Sequence, residues 1–133
     1  MPNVVTDTHA LIWYLEDSPK LSVAANRLFT QCENGEILIY LPTICLVEII
    51  YLQEKGRIPF QLKAQLDREL MLGNTGMIVY DLTSGVVEAL ATIPREIISD
   101  LPDRIVAATA VHLGLSLISK DSKITASQVN TIW

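Results

Sequence analysis

The feature of this sequence that most restricts its fold is the alternation of short apolar runs with segments of helical composition. Apolar runs of this length, bounded by turn-forming residues, are typical of buried strands. The runs predicted as strands are residues 4–7, 37–41, 77–80 and 115–119, with 131–133 as a short candidate fifth. The segments predicted as helices are residues 10–15, 22–31, 43–55, 60–72, 83–92 and 103–113.

Strands that alternate with helices along a chain usually pair in parallel, and their almost continuous apolar character indicates that both faces of the sheet are covered. We therefore predict an α/β fold in which helices flank a central, mainly parallel sheet of four to five strands. A chain of 133 residues has the usual size of one domain, so we expect residues 1–133 to form a single domain.

Composition and the two cysteines exclude several other classes of protein. Half of the residues are hydrophobic, but charged residues interrupt every apolar stretch before the roughly 20 positions that a membrane span needs. The first residues show no basic leader with a long apolar stretch, so we expect a cytoplasmic protein. Cys32 and Cys45 form no CxxC pattern, which favours two reduced, buried thiols over a zinc site or a disulfide.

Three carboxylates fall where an open parallel sheet usually binds its ligands, at the carboxyl ends of the strands. Asp7 ends the first predicted strand, Asp103 begins the helix before the fourth strand, and Asp121 follows that strand. We expect the three to reach one edge of the sheet. Each also has a plain structural interpretation, because aspartate is common at helix caps and in turns.

Glu48 is the acid for which a purely structural role explains least. Its neighbours three and four positions away in the predicted helix are Ile44, Cys45, Tyr51 and Leu52, so its carboxylate lies in the apolar stripe. An unpaired charge there would cost several kcal/mol or shift its pKa until the group is neutral. The sequence offers no nearby Arg or Lys as a partner.

Converging carboxylates repel one another, so a site that contains four is stable only with bound cations or with some acids protonated. Ligand sets made only of oxygen atoms favour hard ions such as Mg²⁺ or Mn²⁺. Such ions activate water and stabilise a leaving oxygen, which suits phosphodiester hydrolysis. The sequence contains no Ser-His-Asp or Cys-His arrangement that would indicate a different chemistry.

The net charge of the chain is −5, which is the wrong sign for a protein that holds nucleic acid by overall charge. Nucleic-acid binding would then depend on a groove formed by a dimer or on a local basic patch. The candidates for such a patch are Lys55, Arg57, Arg104 and Lys120. Arg104 could instead pair with a neighbouring acid, and the sequence favours neither role.

The residues beside Asp7 receive structural interpretations. We expect His9 to make a structural hydrogen bond rather than to act as a general base. We expect Trp13 and Tyr14 to belong to the core or to a dimer surface rather than to a platform for base stacking.

Four segments in this order resemble PIN-domain proteins, and in particular VapC-type toxins. They are residues 6–13, residues 47–50 with 55–57 after them, residues 100–110, and residues 117–121. The resemblance implies a Rossmann-like three-layer PIN domain that cleaves RNA with Mg²⁺ or Mn²⁺. It assigns Asp7, Glu48 and Asp103 as the core catalytic and metal-binding acids, with Asp121 as the fourth. It also implies a homodimer and a cognate antitoxin protein as partner.

One loop departs from the pattern of close relatives, which often read His-x-Asp-Pro-Phe-Asp-Arg. Residues 98–104 of this chain read Ile-Ser-Asp-Leu-Pro-Asp-Arg, so the His is absent and the Pro is displaced by one position. The departure puts an auxiliary role of Asp100 in doubt and leaves Asp103 in place. For Asp100 a helix cap is the favoured interpretation.

Two other classes of function remain as alternatives. A PIN-like protein could use the acidic groove only to bind a partner, without catalysis. A receiver-like phosphotransfer domain also places acids around Mg²⁺, but it needs paired acids after the first strand, and Asp7 has no acidic neighbour. A dehalogenase-like phosphatase would need an Asp where this chain has His9.

Overall fold

The computed structural model describes residues 3–133. Met1 and Pro2 lie outside the described residues. They are part of the predicted single domain and of the N-terminal segment in which we expect no leader. The elements in chain order are β1 (Val4–Thr6), α1 (Thr8–Leu15), α2 (Val23–Glu33), β2 (Ile39–Pro42), α3 (Thr43–Glu54), α4 (Leu62–Leu72), β3 (Met77–Tyr80), α5 (Ser84–Ala91), α6 (Leu101–Leu113), β4 (Ser116–Ile118), α7 (Ser122–Thr125) and β5 (Thr131–Ile132).

The five strands form one sheet in the order β3-β2-β1-β4-β5, and every neighbouring pair is parallel. Val4 of β1 is in register with Ile39 on one side and with Ser116 on the other. The predicted α/β fold with a parallel sheet is therefore confirmed, and the candidate fifth strand is present. Because β1 is central and β4 is its neighbour, Asp7 and Asp121 follow adjacent strands at the same edge.

The three central strands β2, β1 and β4 are the most deeply buried part of the sheet. Val4 and Val5 of β1 and Leu117 of β4 are at most 1% exposed, and the helices pack against this sheet to form the core. Cys32 and Cys45 are both buried and free, as expected. Within residues 3–133 no helix is long and apolar enough to cross a membrane.

Two local features were not predicted. Thr43 begins the predicted helix 43–55 but does not cap α3, since Pro42 takes the cap position and the Thr43 hydroxyl donates to the backbone carbonyl of Tyr80 (3.1 Å). Helix α7 was not predicted, because four residues carry too little periodicity to indicate a helix. Gly56 and Gly114 follow the ends of α3 and α6 with a left-handed backbone that glycine adopts readily, at φ of 70° and 68°.

Candidate active site

Asp7 is held rigidly at the centre of the sheet edge. It follows β1 directly and caps α1, where its carboxylate accepts from the Ala10 backbone N–H (2.9 Å). The side chain is only 8% exposed. Burial raises the pKa of Asp7, while hydrogen bonds from Ser119 and from the Ala10 N–H oppose that shift. The predicted cap and the predicted site position are thus the same residue.

Glu48 lies half-buried on α3 and has a partner that the sequence did not reveal. The hydroxyl of Thr8, the residue after Asp7, donates to the Glu48 carboxylate. Burial raises the pKa of Glu48, the hydrogen bond from Thr8 lowers it, and the charge of Asp100 raises it further. The contact therefore links the start of α1, which directly follows Asp7, to α3, which bears Glu48.

Asp103 and Asp100 occupy the first turn of α6. Asp100 caps the helix by accepting from the Asp103 N–H (3.1 Å), so the helix begins two residues earlier than predicted and the capping interpretation of Asp100 is confirmed. Burial, followed by the charges of Asp100 and Asp121, raises the pKa of Asp103 to about 7. A hydrogen bond with the Asp121 carboxyl group and the charge of Glu48 are smaller contributions to this raised pKa.

Asp121 follows β4 and caps α7, accepting from the backbone N–H of Lys123 (2.8 Å). Its own N–H donates to the hydroxyl of Ser119 (3.1 Å), which also hydrogen-bonds to Asp7. Ser119 is 1% exposed and connects the two acids. Sequence reasoning missed it, although a polar residue at the end of a buried strand was the available signal.

The structure gathers three of the four predicted acids around one cavity of about 400 Å³. We call it the carboxylate cavity, and its walls are Asp7, Thr8, His9, Trp13, Asp103, Lys120 and Asp121. Glu48 instead lines a neighbouring cavity of about 320 Å³, beside Lys55 and Pro102. Its charge nevertheless acts on Asp103, whose pKa it raises.

In the described part of the chain, no three His, Cys, Asp or Glu side chains stand together as a ready-made metal ligand set. What residues 3–133 do bring together is a set of crowded carboxyl groups whose pKa values are raised by burial and mutual repulsion. Such a set can bind a proton or a hard cation, either of which relieves the repulsion.

Within residues 3–133, Arg104 forms no ion pair with a neighbouring acid, one of the two roles left open by the sequence. Its guanidinium donates to the backbone carbonyls of Ile93 (3.1 Å) and Leu90 (3.2 Å), at the end of α5. It therefore ties the carboxyl end of α5 to the start of α6.

We expect Arg104→Met to lower the free energy of unfolding by about 2 kcal/mol, because it removes a charged donor from two carbonyls. Urea denaturation measures the loss. Arg95→Met, at an exposed position nearby in sequence, is the matched control and should change stability little. A loss of activity in Arg104→Met without any loss of stability would contradict the structural role.

The aromatic residues of α1 divide between core and cavity. Tyr14 stacks on Phe29, with ring centroids 4.4 Å apart, as expected of a core residue. Trp13 is half-buried and packs against the core, as expected, and it also lines the carboxylate cavity. His9 is exposed, and its ring contacts Trp13 in place of the structural hydrogen bond that we expected.

Comparison with known proteins identifies a family and structures that the chain resembles. The sequence model of the PIN domain family matches residues 4–128. The chain is 23% identical over 136 residues to Ribonuclease VapC22 of Mycobacterium tuberculosis, and the alignment covers all of both chains.

Two solved structures show the same fold. One is the DNA-bound VapBC of Salmonella typhimurium, with a TM-score of 0.73 and 17% identity, covering 99% of this chain and 98% of that one. The other is a toxin-antitoxin complex from Klebsiella pneumoniae, with a TM-score of 0.64 and 17% identity, covering 98% and 97%.

Proposed function

This chain belongs to the PIN domain family, and from that membership we propose that it is a metal-dependent endoribonuclease that hydrolyses RNA phosphodiester bonds. The observation that carries the proposal is the convergence of Asp7, Asp103 and Asp121 on one cavity at the carboxyl edge of the sheet. The full-length similarity to a ribonuclease supports it. We further propose that residues 1–133 form one PIN domain.

The donor set fits a divalent cation. Asp7, Asp103 and Asp121 offer oxygen atoms alone, and their crowded charges are what a hard cation such as Mg²⁺ or Mn²⁺ would compensate. We propose that these three carboxylates hold the cation and that Glu48 contributes from the neighbouring cavity. A cation bound there would activate water and neutralise charge on the leaving oxygen.

The other residues of the site position the acids and the substrate. Ser119 and the Ala10 N–H fix the orientation of Asp7, so that this carboxylate needs little rearrangement before it acts. Thr8 does the same for Glu48. Lys120, exposed on the cavity wall, is placed to bind the phosphate backbone of the substrate.

We also propose that the protein is the toxin of a toxin-antitoxin pair and forms a homodimer. The complex from Klebsiella pneumoniae, which has the same fold, supports a protein partner. Helix α3 supports it independently, because Val47, Ile50 and Tyr51 on its surface are 43%, 41% and 60% exposed. Apolar side chains that stay exposed together on one helix are typical of protein interfaces.

Cleavage of a mixed pool of structured RNA by the purified protein tests the proposal. We expect cleavage with Mg²⁺ or Mn²⁺, none with EDTA, and none from the double variant Asp7→Asn, Asp103→Asn, whose shape is almost unchanged. Circular dichroism of the variant establishes that the fold survives. If Asp7→Asn alone cut RNA as fast as the parent, the assignment of this acid would be wrong.

The same experiment separates the nuclease from a binding module without catalysis. A correctly folded parent protein, free of antitoxin, that leaves the whole pool intact with either metal would contradict the proposed activity. The acidic groove would then serve only to bind a partner.

A further inference from the structure

Trp13 is the centre of a cluster of aromatic and basic side chains at the rim of the carboxylate cavity. Its ring contacts Trp133, with centroids 5.7 Å apart, and His9, with centroids 5.8 Å apart. The ammonium groups of Lys20 and Lys120 each lie 6.0 Å from the centroid of the Trp13 ring. These residues come from α1, the loop after it, the end of β4 and the last residue of the chain, so only the fold brings them together.

Trp13 also forms the wall between two cavities. On one side is the carboxylate cavity, and on the other is a cleft of about 300 Å³ beside the start of α2, where Ser18, Ser22 and Asn26 offer polar atoms. A chain of nucleotides with its scissile phosphate at the carboxylates would have to pass Trp13 to reach this cleft.

The two lysines are free to bind anions. In residues 3–133 the one ion pair joins Lys63 to Asp67, so neither Lys20 nor Lys120 is neutralised by a carboxylate in an ion pair. Both lysines are exposed, and the ammonium group of each lies near the face of the indole ring. The ring attracts the positive charge but leaves the N–H groups of the lysine able to donate to an anion. The net charge of the chain is −5, so these two positive side chains at the rim of an acidic cavity are opposite in sign to their surroundings.

We propose that Trp13 is a stacking platform for one nucleobase of single-stranded RNA, and that Lys20 and Lys120 bind the phosphates on either side of that base. The inference rests on the proposed ribonuclease function and adds the chemistry by which the substrate is held. Aromatic stacking with adjacent cations is how proteins bind single strands without reading their sequence. A base in a duplex is stacked on its neighbours, so the platform selects unpaired RNA.

Intrinsic fluorescence tests the platform directly, because the chain has two tryptophans and both belong to this cluster. Trp133→Phe leaves Trp13 as the sole fluorophore, and the added pair Asp7→Asn, Asp103→Asn prevents cleavage during the titration. We expect a single-stranded RNA nonamer to quench Trp13 with saturation. An abasic oligomer of the same length and charge should not quench it, and a duplex of the same sequence should bind more weakly.

Side-chain replacement then measures each contribution, with a labelled nonamer and fluorescence anisotropy as the readout. Trp13→Leu should weaken binding between about 5-fold and about 100-fold, whereas Trp13→Phe keeps a ring and should weaken it less. Lys20→Gln and Lys120→Gln should each reduce the slope of log affinity against log salt by about 0.7. Lys63→Gln removes the same charge from α4 and is the matched control.

The outcomes distinguish this inference from the proposed function. Three results would exclude the platform, even where the parent protein cleaves RNA. RNA could bind without quenching Trp13, the abasic oligomer could quench equally, or a folded Trp13→Leu variant could bind RNA as tightly as its parent. If the nonamer quenches Trp13 as described and the parent protein cleaves nothing, the platform stands and the ribonuclease proposal fails.

Discussion

Asp103→Asn is expected to reduce RNA cleavage by at least about three orders of magnitude and, at the same time, to make the metal-free protein more stable above pH 7. Activity falls because the variant loses a charged oxygen from the proposed cation site, and cation chemistry supplies several kcal/mol to such a reaction. Stability rises because the native fold destabilises the charged form of the Asp103 side chain. Burial and the charges of Asp100 and Asp121 raise its pKa to about 7, against an ordinary value of 3.8.

The sign of the pH effect follows from proton binding. Between pH 3.8 and about 7 the folded protein keeps a proton on Asp103 that the unfolded chain has already released. Stability contributed by Asp103 therefore falls as pH rises through this window and stays low above it. Asparagine carries no such penalty. We expect the variant to gain at least about 1 kcal/mol at pH 8, a value reduced for solvent screening at a half-buried site, and nothing near pH 4.

Urea denaturation in EDTA at pH 4, 6 and 8 measures this difference, and the RNA assay measures the loss of cleavage. Asp81→Asn is the matched control, since it removes the same charge from an exposed position after β3. Its stability should differ little from that of the parent. An Asp103→Asn variant that is less stable than the parent at pH 8 would show that the folded site does not destabilise its own carboxylate.

The parts of the structure that could be predicted are those governed by periodicity and by strand ends. Apolar runs between helical segments indicated a parallel sheet because strands joined by helices usually pair in parallel, with both faces of the sheet covered. The positions of Asp7, Asp103 and Asp121 followed from the same topology, since parallel strands present their carboxyl ends at one edge. These are properties of local sequence, and the structure reproduces them.

The remaining features depend on contacts between distant residues. Glu48 was expected to need a partner that the nearby sequence does not offer, and the structure supplies the hydroxyl of Thr8, forty positions away. Arg104 finds its acceptors at the end of another helix, and Trp13 meets side chains from three other parts of the chain. No periodicity encodes such pairs, so a search for opposite charges or for cap residues could not identify them.

Gly76→Ala is expected to cost about 3 kcal/mol of folding free energy, the largest loss of stability among these variants. A Cβ atom at this position would overlap the backbone carbonyl of Ile37 and would press on the Cys32 sulfur. Both neighbours are fixed, because the Gly76 carbonyl accepts from Ile39 N–H (2.9 Å) and the Gly76 N–H donates to the Cys32 carbonyl (3.0 Å). Relief of the overlap must therefore separate β3 from β2.

Gly85→Ala provides the comparison that isolates this cause. A Cβ there would meet the side chain of His112, which is exposed and can rotate away, at the expense of its hydrogen bond to the Tyr80 hydroxyl (3.1 Å). We expect Gly85→Ala to lower the free energy of unfolding by about 1 kcal/mol. The larger loss in Gly76→Ala should lower its melting temperature by about 10 °C relative to the parent. Equal losses in calorimetry would contradict the argument. Because β2 leads directly into α3, the Gly76 variant should also disturb Glu48, which links the packing of the sheet edge to the geometry of the site.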